Sequence, residues 1–224
     1  DAAGFSSACF KRGSRWVFCP TTLLSMCDSC IGAKTGINFA GAKNQLGLFS
    51  APAQVLIGTE FLKTLETKHI GSGMGEILKL AITGGAKPLA CYADRSQKAL
   101  NRDYKTLGEL IKLSLAIKKS VIEADEFERH SRKVLNYGHT AGHALESASN
   151  YRIPHGTAVA LGIIAANGLS VEHGLLKNKD CRVIDGLCLE IARVKLPGIS
   201  PSILAALIKK DKKAGRKKVS FALA

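Results

Sequence analysis

Three histidines fall within one short, glycine-rich stretch, residues 135–162, with the sequence LNYGHTAGHALESASNYRIPHGTAVALG. His139 and His143 are four residues apart, so on a helix they lie on one face about one turn from each other. His155 follows a turn-like connection and starts a second apolar helix. Neutral imidazole is the commonest metal ligand, and an open zinc site needs about three protein ligands. The stretch therefore predicts two helices that meet at a metal site, which an acidic third ligand would complete.

The composition describes a globular chain with a large excess of positive charge. It has 224 residues, 46% of them hydrophobic, and a formal net charge of +14. Lysines and arginines are spread along the sequence, which favours anionic partners such as sugar phosphates, nucleotides or nucleic acid. Only 6% of the residues are aromatic, and they are not interleaved with basic ones, so we expect no nucleic-acid partner.

The cysteines and the lack of long apolar runs indicate a reducing compartment. The chain has seven cysteines, an odd number, and neither a signal peptide nor an apolar run of about 18 residues is visible. We therefore expect a cytoplasmic protein with no membrane partner. Cys27 and Cys30 form a CxxC pair, but their loop-like surroundings do not resemble a redox site, and we interpret the spacing as coincidence.

The secondary-structure pattern divides the chain into two regions. Over residues 1–66, strand-like runs at 16–19 and 54–57 alternate with Gly-, Ser- and Asn-rich loops, which is typical of an α/β domain. From residue 67 onward, apolar residues recur at helical spacings, as in LGELIKLSLAIKKSVIEADEFE. Further helices are predicted to begin near His139, His155 and Asp180.

Lysines and one carboxylate mark two further candidate sites. Lys34 and Lys43 stand in what we predict to be glycine-rich loops, where backbone N–H groups and an ammonium can approach a phosphate together. An ordinary surface loop with two solvated lysines fits the same spacing. In GSGMGEILKLAI, residues 71–82, Glu76 and Lys79 stand three apart at the start of an apolar helix. They form either a structural pair or a metal ligand beside a substrate-binding cation.

Ten short motifs follow one another along almost the whole chain: DAAGF, FKRG, PTTLL, DSCIGAKTGIN, GAKN, GMGEILK, ADEFE, LNYGHTAGHALE, PHGTAVALG and DKK. Their order and spacing resemble the 3-dehydroquinate synthase family of sugar phosphate cyclases. The resemblance implies the C-terminal part of a Rossmann-like NAD-binding α/β domain at residues 1–66 and a helical metal- and substrate-binding domain at 67–224. It also implies NAD and a divalent metal, zinc or cobalt, as cofactors.

The resemblance also assigns roles to individual residues. The implied metal ligands are Glu76, His139 and His155, so that His143 faces the phosphate end of the substrate. The residues implied to take part in catalysis are Lys34, Lys79, Lys118, Arg132, Asn136 and His143. Those implied to bind substrate are Arg12, Asn44 and Lys212. Those implied to lie near the cofactor are Asp1, Asp28, Lys43 and Thr64.

Two of the substrate-binding residues carry further implications. Arg12 matches an arginine that reaches the neighbouring subunit's site in family dimers, so the resemblance implies a homodimer. Lys212 matches a phosphate-contacting lysine, although it lies within KKDKKAGRKK, residues 209–218, which is otherwise typical of a solvated basic face.

The family reaction gives a reason for so many cations. Its substrate, the keto acid 3-deoxy-arabino-heptulosonate 7-phosphate, carries a carboxylate and a phosphate that must be held in a desolvated cleft. In the family, transient oxidation by NAD allows phosphate to be eliminated, and an aldol closure gives 3-dehydroquinate in the shikimate pathway of aromatic amino acid biosynthesis. Arg132, with Lys118, matches the positions that hold the carboxylate, which favours a carboxylated substrate.

Four departures from the family pattern keep different functions open. GGK reads GAK at Ala33, GLAE reads GMGE at Gly75, HGE reads HGT at Thr157, and the proline of the TLP turn is Glu66. The third matters most, because threonine cannot supply the charge of a glutamate beside His155. The changes are compatible with a cyclase of the 2-deoxy-scyllo-inosose or 2-epi-5-epi-valiolone synthase type. A metal-dependent polyol or glycerol phosphate dehydrogenase, a noncatalytic basic module or a degenerate fragment would also fit the sequence.

The resemblance implies a gap in front of Asp1. In the family, the glycine-rich triplet that cradles the NAD pyrophosphate lies immediately before the matching aspartate, with roughly half of the nucleotide domain upstream. We therefore expect a fragment that keeps the metal and substrate residues, binds NAD poorly and is inactive by itself.

Overall fold

In the computed structural model, two small sheets precede a bundle of helices. The structure describes residues 2–39, 42–193, 198–211 and 222, except the side chains of residues 38, 42–44, 210 and 211. The strands are β1 (Val17–Phe18), β2 (Lys34–Phe39), β3 (Ala42–Phe49) and β4 (Gln54–Val55). The α-helices are α1 (Ala2–Cys9), α2 (Thr67–Thr83), α3 (Ala86–Leu100), α4 (Tyr104–Ala124), α5 (His139–Ala148), α6 (His155–Glu172), α7 (Asn178–Ile191) and α8 (Pro201–Asp211). Shorter helical segments are the 3-10 helices Phe10–Arg12, Thr59–Thr64 and Ser131–Asn136, and the π-helix Ser25–Ser29.

This order of elements confirms the predicted fold class, because the described strands all lie in the first part of the chain and most helices follow them. β1 and β4 pair in parallel at the two strand-like runs found in the sequence. α5 and α6 begin at His139 and His155, and α7 begins at Asn178, as predicted to within two residues. Helix formation at α4 is helped by Asp103, whose side chain accepts a hydrogen bond from the Thr106 backbone N–H at 2.7 Å.

An antiparallel hairpin of β2 and β3 occupies the region predicted to be glycine-rich loops, so that prediction was wrong. Lys34 is the first residue of β2 and pairs with Phe49. β-Branched or apolar residues alternate along β2 at Thr35, Ile37 and Phe39. Alternation with a period of two favours a strand, and the single glycine in each of the two strands, Gly36 and Gly47, was not enough to break the pairing.

One hydrophobic core joins the two predicted regions. Leu23, Met26 and Leu62 from the first region belong to the same buried cluster as Met74 and Leu78 of α2. Since burial of apolar surface is the main favourable term in folding, these contacts tie the strand-containing part to the helices. The first helix of the second region, α2, begins at Thr67, directly after the predicted domain boundary. The division into two domains at residue 66 itself stays a prediction.

Helix α6 lies at the centre of the helical part, packed against α2, α5 and α7. Its apolar residues surround it rather than forming one stripe, and Ala158, Val159, Ala160 and Ile163 are all fully buried. A helix that is apolar on all sides is the one expected in a core. Within the described part of the chain, no helix combines the length and apolar character that crossing a bilayer requires.

α2 and α6 cross with their backbones in contact. A Cβ atom added at Gly156 would lie 1.8 Å from the Ser72 carbonyl oxygen, and one added at Gly75 would lie 2.0 Å from the Gly156 carbonyl oxygen. The Gly156 N–H also donates a hydrogen bond to Ser72 Oγ at 2.9 Å. Only glycine permits so close an approach. The crossing brings Glu76, one residue beyond Gly75, against the first residue of α6.

The crossing makes a prediction about stability. We expect Gly156→Ala to lower the free energy of unfolding by about 2 kcal/mol or more, because the new methyl group forces the two helices apart. Gly168→Ala in the same helix is the matched control, since nothing lies within 4 Å of its added Cβ. It should raise stability by about 0.5–1 kcal/mol through helix propensity. Urea unfolding followed by circular dichroism measures both, and equal effects of the two substitutions would contradict the close crossing.

Candidate active site

A buried carboxylate lies between two imidazoles contributed by different helices. Glu76 of α2 is 1% exposed, and its Oε1 lies 3.6 Å from Nε2 of His139 and 3.3 Å from Nε2 of His155. Lys79 Nζ lies 2.5 Å from Oε2, yet neither oxygen of Glu76 has a well-formed hydrogen bond within the described residues. Buried polar atoms in native proteins are nearly always hydrogen-bonded, so these two oxygens require another partner.

Each of the two imidazoles is oriented through its other ring nitrogen. His139 Nδ1 lies 3.2 Å from the Tyr137 carbonyl oxygen, which can only accept, so Nδ1 carries the proton. Burial lowers the pKa of His139 to about 4, so the ring is neutral at pH 7 and Nε2 offers a lone pair. His155 Nδ1 lies 3.0 Å from Glu146 Oε2. Burial disfavours its charged form, but the neighbouring carboxylates Glu146 and Glu76 raise its pKa to about 9.

His143 joins this group. The ligand atoms of His139, His143 and His155 all lie within 4.8 Å of one another. The His143 ring stacks on that of His155 with 5.7 Å between centroids and meets that of His139 edge-on at 5.2 Å. The spacing of four residues therefore places His139 and His143 on one face of α5, as predicted. The three imidazoles thus form one cluster, and Glu76 contacts two of them, His139 and His155.

Two buried lysines flank Asp28 on the other side of Glu76. Lys79 Nζ lies 3.4 Å from Asp28 Oδ2, and Lys118 Nζ contacts Oδ1 and donates to the backbone carbonyl of Asp28 at 2.6 Å. The neighbouring carboxylates Asp28 and Glu76 raise the pKa of Lys79, although burial alone would lower it. Asp28 lies in the π-helix Ser25–Ser29, and it acts as the counter-ion of both lysines.

A further carboxylate, not identified from the sequence, links two predicted catalytic residues. Glu128 contacts Lys34 Nζ and accepts a hydrogen bond from Asn136 Nδ2 at 2.6 Å. Its φ of 57° lies in the left-handed region, which a glutamate rarely adopts. The motif ADEFE, which ends at Glu128, was the available signal, but neither charge nor spacing indicated which acidic residue would face the lysine.

Arg132 is held against the loop that precedes β2. It is 2% exposed, and its guanidinium donates to the Gly32 carbonyl at 3.2 Å and contacts the Glu126 carbonyl. Gly32 has a φ of 104°, and Ala33, the departure in GAK, has a φ of 59°. The left-handed conformation of an alanine costs about 1–2 kcal/mol, so a glycine fits this position better.

The departure at Thr157 does not leave His155 without a carboxylate. Thr157 is buried in α6, and Glu146 of α5 makes the hydrogen bond to the imidazole. The sequence predicted that threonine at position 157 would leave His155 without a charged partner. That prediction was wrong, because Glu146 is that partner. Glu146 was also missed by the sequence analysis. It stands seven residues after His139, about two helical turns along the same face, and this periodicity was the signal for it.

The remaining sequence-predicted residues are not part of these contacts. Thr64 and Arg12 are exposed, each at the end of a 3-10 helix, and the Thr64 hydroxyl donates to the Phe61 carbonyl at 3.5 Å. Their roles stay predictions. Outside the described residues or side chains lie Asp1, Lys43, Asn44 and Lys212.

The CxxC pair does not form a redox site of the usual kind. Cys27 and Cys30 are free and buried, Cys27 within the π-helix rather than in the loop predicted for the pair. Burial raises the pKa of both thiols, that of Cys30 to about 11. A reactive cysteine requires a lowered pKa, so the thiols are structural, in agreement with the interpretation of the spacing as coincidence.

Comparison with known families matches nearly the whole chain in two parts. A family model described as 3-dehydroquinate synthase N-terminal matches residues 1–72, and one described as 3-dehydroquinate synthase C-terminal matches residues 73–214. The 3-dehydroquinate synthase of Dehalococcoides mccartyi strain CBDB1 is 36% identical over 224 residues, which cover 100% of this chain and 62% of that relative. That of Geotalea uraniireducens is 40% identical over 95% of this chain and 60% of its own length. The chain thus spans about three fifths of these curated relatives.

Two solved cyclases share the fold. A 2-deoxy-scyllo-inosose synthase, complexed with carbaglucose-6-phosphate, NAD⁺ and Co²⁺, superposes with a TM-score of 0.89 at 27% identity, over 97% of this chain and 60% of that one. A 2-epi-5-epi-valiolone synthase from Streptomyces hygroscopicus, with NAD⁺ and Zn²⁺ bound, gives a TM-score of 0.80 at 26% identity, over 93% and 59% of the two chains.

The charges around Lys34 lead to a prediction that can be tested without a bound ligand. Burial lowers its pKa to about 8, the positive charges of Arg132 and Lys118 contribute, and the contact with Glu128 does not reverse the shift. Near pH 8 about half of its amine is therefore neutral, against under about 1% for an ordinary lysine. Only the neutral amine is acylated, so Lys34 should label faster than Lys119, which is 70% exposed.

The check is pH-dependent acylation followed by peptide mass spectrometry, with Lys119 as the internal control. Arg132→Gln removes one of the repelling charges, so it should raise the pKa of Lys34 and slow its labelling at pH 8. A labelling midpoint near pH 10 in the unsubstituted chain would contradict the shift.

Proposed function

The chain belongs to the 3-dehydroquinate synthase family, and on this premise we propose that it carries the metal- and substrate-binding part of such a synthase. The enzyme would be a carbon–oxygen lyase that eliminates phosphate from 3-deoxy-arabino-heptulosonate 7-phosphate and closes the ring to 3-dehydroquinate. The observation that carries the proposal is the meeting of Glu76 with His139 and His155 beside the buried Lys79 and Lys118.

The residues at the helix crossing fit a divalent metal. Glu76, His139 and His155 provide one carboxylate and two imidazoles, a donor set that suits zinc or cobalt, and the carboxylate oxygens lack hydrogen bonds within the described residues. Because His155 is held protonated by its carboxylate neighbours, it would lose the Nε2 proton on binding the metal. When bound, such a metal supplies Lewis-acid polarisation of a substrate oxygen. His143, although it lies beside these ligands, would then contact the phosphate end of the substrate rather than the metal.

The cations of the site fit a substrate with two anionic ends. Lys79 and Lys118 are already paired with Asp28, so they present a fixed field at low cost in reorganisation. Arg132 is buried, with only part of its five N–H groups used by backbone carbonyls, and we assign it the substrate carboxylate. Lys34 and Asn136, which both contact Glu128, would complete the substrate-binding group.

The cofactor, subunit and compartment assignments rest on relatives and on the sequence. NAD⁺ in the two solved cyclases supports NAD here, where it would supply reversible hydride transfer, and we propose that Asp28, Thr64, Lys43 and Asp1 would hold it. We further propose that Asn44 and Lys212 contact the substrate and that Arg12 reaches a second subunit in a homodimer. The protein would act in the cytoplasm on this small sugar phosphate.

A related cyclase is the second candidate, because the two solved relatives are cyclases with other products. Arg132 weighs against it. Substrates such as glucose 6-phosphate have no carboxylate, so a buried guanidinium at that position would keep unpaired donors and disfavour them.

Metal affinity tests the ligand set without turnover. We expect Glu76→Gln to remove most zinc binding and Glu146→Gln to weaken it by about tenfold, since a partner of a metal-ligating histidine is worth about 10–100-fold. Glu172→Gln, an exposed residue at the end of α6, is the matched control and should bind as the unsubstituted chain does. Competition with a chromophoric chelator gives the affinities, and circular dichroism verifies folding. Unchanged affinity in Glu76→Gln would overturn the proposed ligand set.

Phosphate release tests the substrate. The chain is joined to the preceding region of the Dehalococcoides mccartyi relative, and both the fusion and the chain alone receive NAD, zinc and one of three substrates. These are 3-deoxy-arabino-heptulosonate 7-phosphate, glucose 6-phosphate and sedoheptulose 7-phosphate. We expect the fusion to release phosphate from the keto acid phosphate only. Arg132→Ala should lower kcat/KM by about 10²-fold or more, because a buried charge pair is lost.

The matched control is Arg129→Ala, an exposed arginine that lies over the Phe127 ring. It should leave kcat/KM within about twofold, since its loss costs little at an exposed site. Release from glucose 6-phosphate or sedoheptulose 7-phosphate would establish another cyclase. Net NADH formation without phosphate release would establish a dehydrogenase.

A further inference from the structure

The carboxylate of Asp125 organises the backbone between α4 and the 3-10 helix Ser131–Asn136. Its Oδ1 accepts a hydrogen bond from the Arg129 N–H at 2.9 Å. Its Oδ2 accepts from the N–H groups of His130 at 2.7 Å and Arg132 at 3.0 Å. Three backbone donors on one ionised carboxylate are charge-assisted bonds, about twice as strong as neutral ones. Residues 125–132 are therefore closed into a compact loop around one side chain.

This loop holds Glu128 in a conformation that it would not adopt by itself. The Glu128 backbone has a φ of 57°, and its N–H donates to the Asp125 carbonyl at 3.4 Å. The left-handed backbone directs the Glu128 side chain to Lys34 and Asn136. Strained conformations persist only where the surroundings fix them, and here the three bonds to Asp125 begin at the very next residue.

The Asp125 carboxylate also holds the backbone of Arg132 in place. The Arg132 backbone N–H is bound to Asp125 Oδ2, while its guanidinium reaches the carbonyls of Gly32 and Glu126. Both the backbone and the guanidinium of Arg132 are thus held in place before any substrate binds. Fixing a binding group in advance removes an entropic cost from the binding step.

We propose that Asp125 is a positioning residue, which touches no substrate but holds residues 125–132 so that Glu128 stays beside Lys34 and Asn136 and Arg132 stays in place for the substrate carboxylate. Asp125 lies in the motif ADEFE, but the site residues assigned above do not include it. The kinetic part of the test rests on that proposed function. The structural part does not.

The first measurement is backbone hydrogen exchange in the chain without substrate. Asp125→Asn is nearly isosteric but keeps one acceptor oxygen, and Asp125→Ala keeps none. We expect exchange of the Arg129, His130 and Arg132 amides to accelerate by about tenfold or more, and further in the alanine variant. Glu123→Gln removes an equal charge two residues away on an exposed side chain and should leave the three amides unchanged. Unchanged exchange in both Asp125 variants overturns the proposal.

The second measurement separates positioning from general destabilisation. In the fusion protein, Asp125→Asn should raise KM for the keto acid phosphate by about tenfold, because Arg132 is no longer preset, while zinc affinity stays within about twofold. The hydrogen bonds of the Asp125 side chain go to Arg129, His130 and Arg132 and to none of the proposed metal ligands, so a merely unstable protein would lose both properties together. An unchanged KM in an active fusion overturns the proposal.

The two arms also distinguish failure of this inference from failure of the proposed function. If the unsubstituted fusion turns over none of the three substrates, the proposed function fails, and accelerated exchange in Asp125→Asn still establishes what holds the loop. If the fusion is active but Asp125→Asn matches Glu123→Gln in exchange and KM, the function stands and the positioning role is refuted.

Discussion

The backbone contact between α2 and α6 is the constraint on which the rest of the site depends. Gly75 and Gly156 leave no room for a Cβ between the two helices. Because the helices touch, Glu76 reaches the first residue of α6 and lies within 3.3 Å of His155. The first residue of α5, His139, then completes the group formed by Glu76 and His155. A site assembled at helix ends by a tight crossing is rigid, which suits a metal with fixed bond lengths.

Charge is arranged in alternation through the interior. Glu146 faces His155, Glu76 lies between the imidazoles and Lys79, and Asp28 follows between Lys79 and Lys118. Unpaired buried charges are strongly unfavourable, and each of these groups has an opposite neighbour. Removal of any one member therefore affects groups on several helices at once.

The structure accounts for three of the departures from the family pattern to different degrees. Gly75 lies at the helix crossing, where the smaller residue permits the observed contact. The charge that Thr157 lacks is supplied to His155 by Glu146 from another helix. Ala33, by contrast, keeps a left-handed backbone with a φ of 59°, and nothing in the described structure offsets that strain. Packing thus explains the change at Gly75, Glu146 compensates for the change at Thr157, and the change at Ala33 has no structural explanation.

By itself, the sequence determined the order of strands and helices, the helix starts at His139 and His155, and the residue types of the candidate site. These follow from local periodicity and from short motifs, which act over a few residues. Only the tertiary structure decided that Lys34 lies in a hairpin and that Asp28 pairs with two lysines. It also decided that Glu146 serves His155 and Glu128 serves Lys34. Such partners are tens of residues apart or on different elements, and their meeting is set by packing of the whole core, which no local pattern encodes.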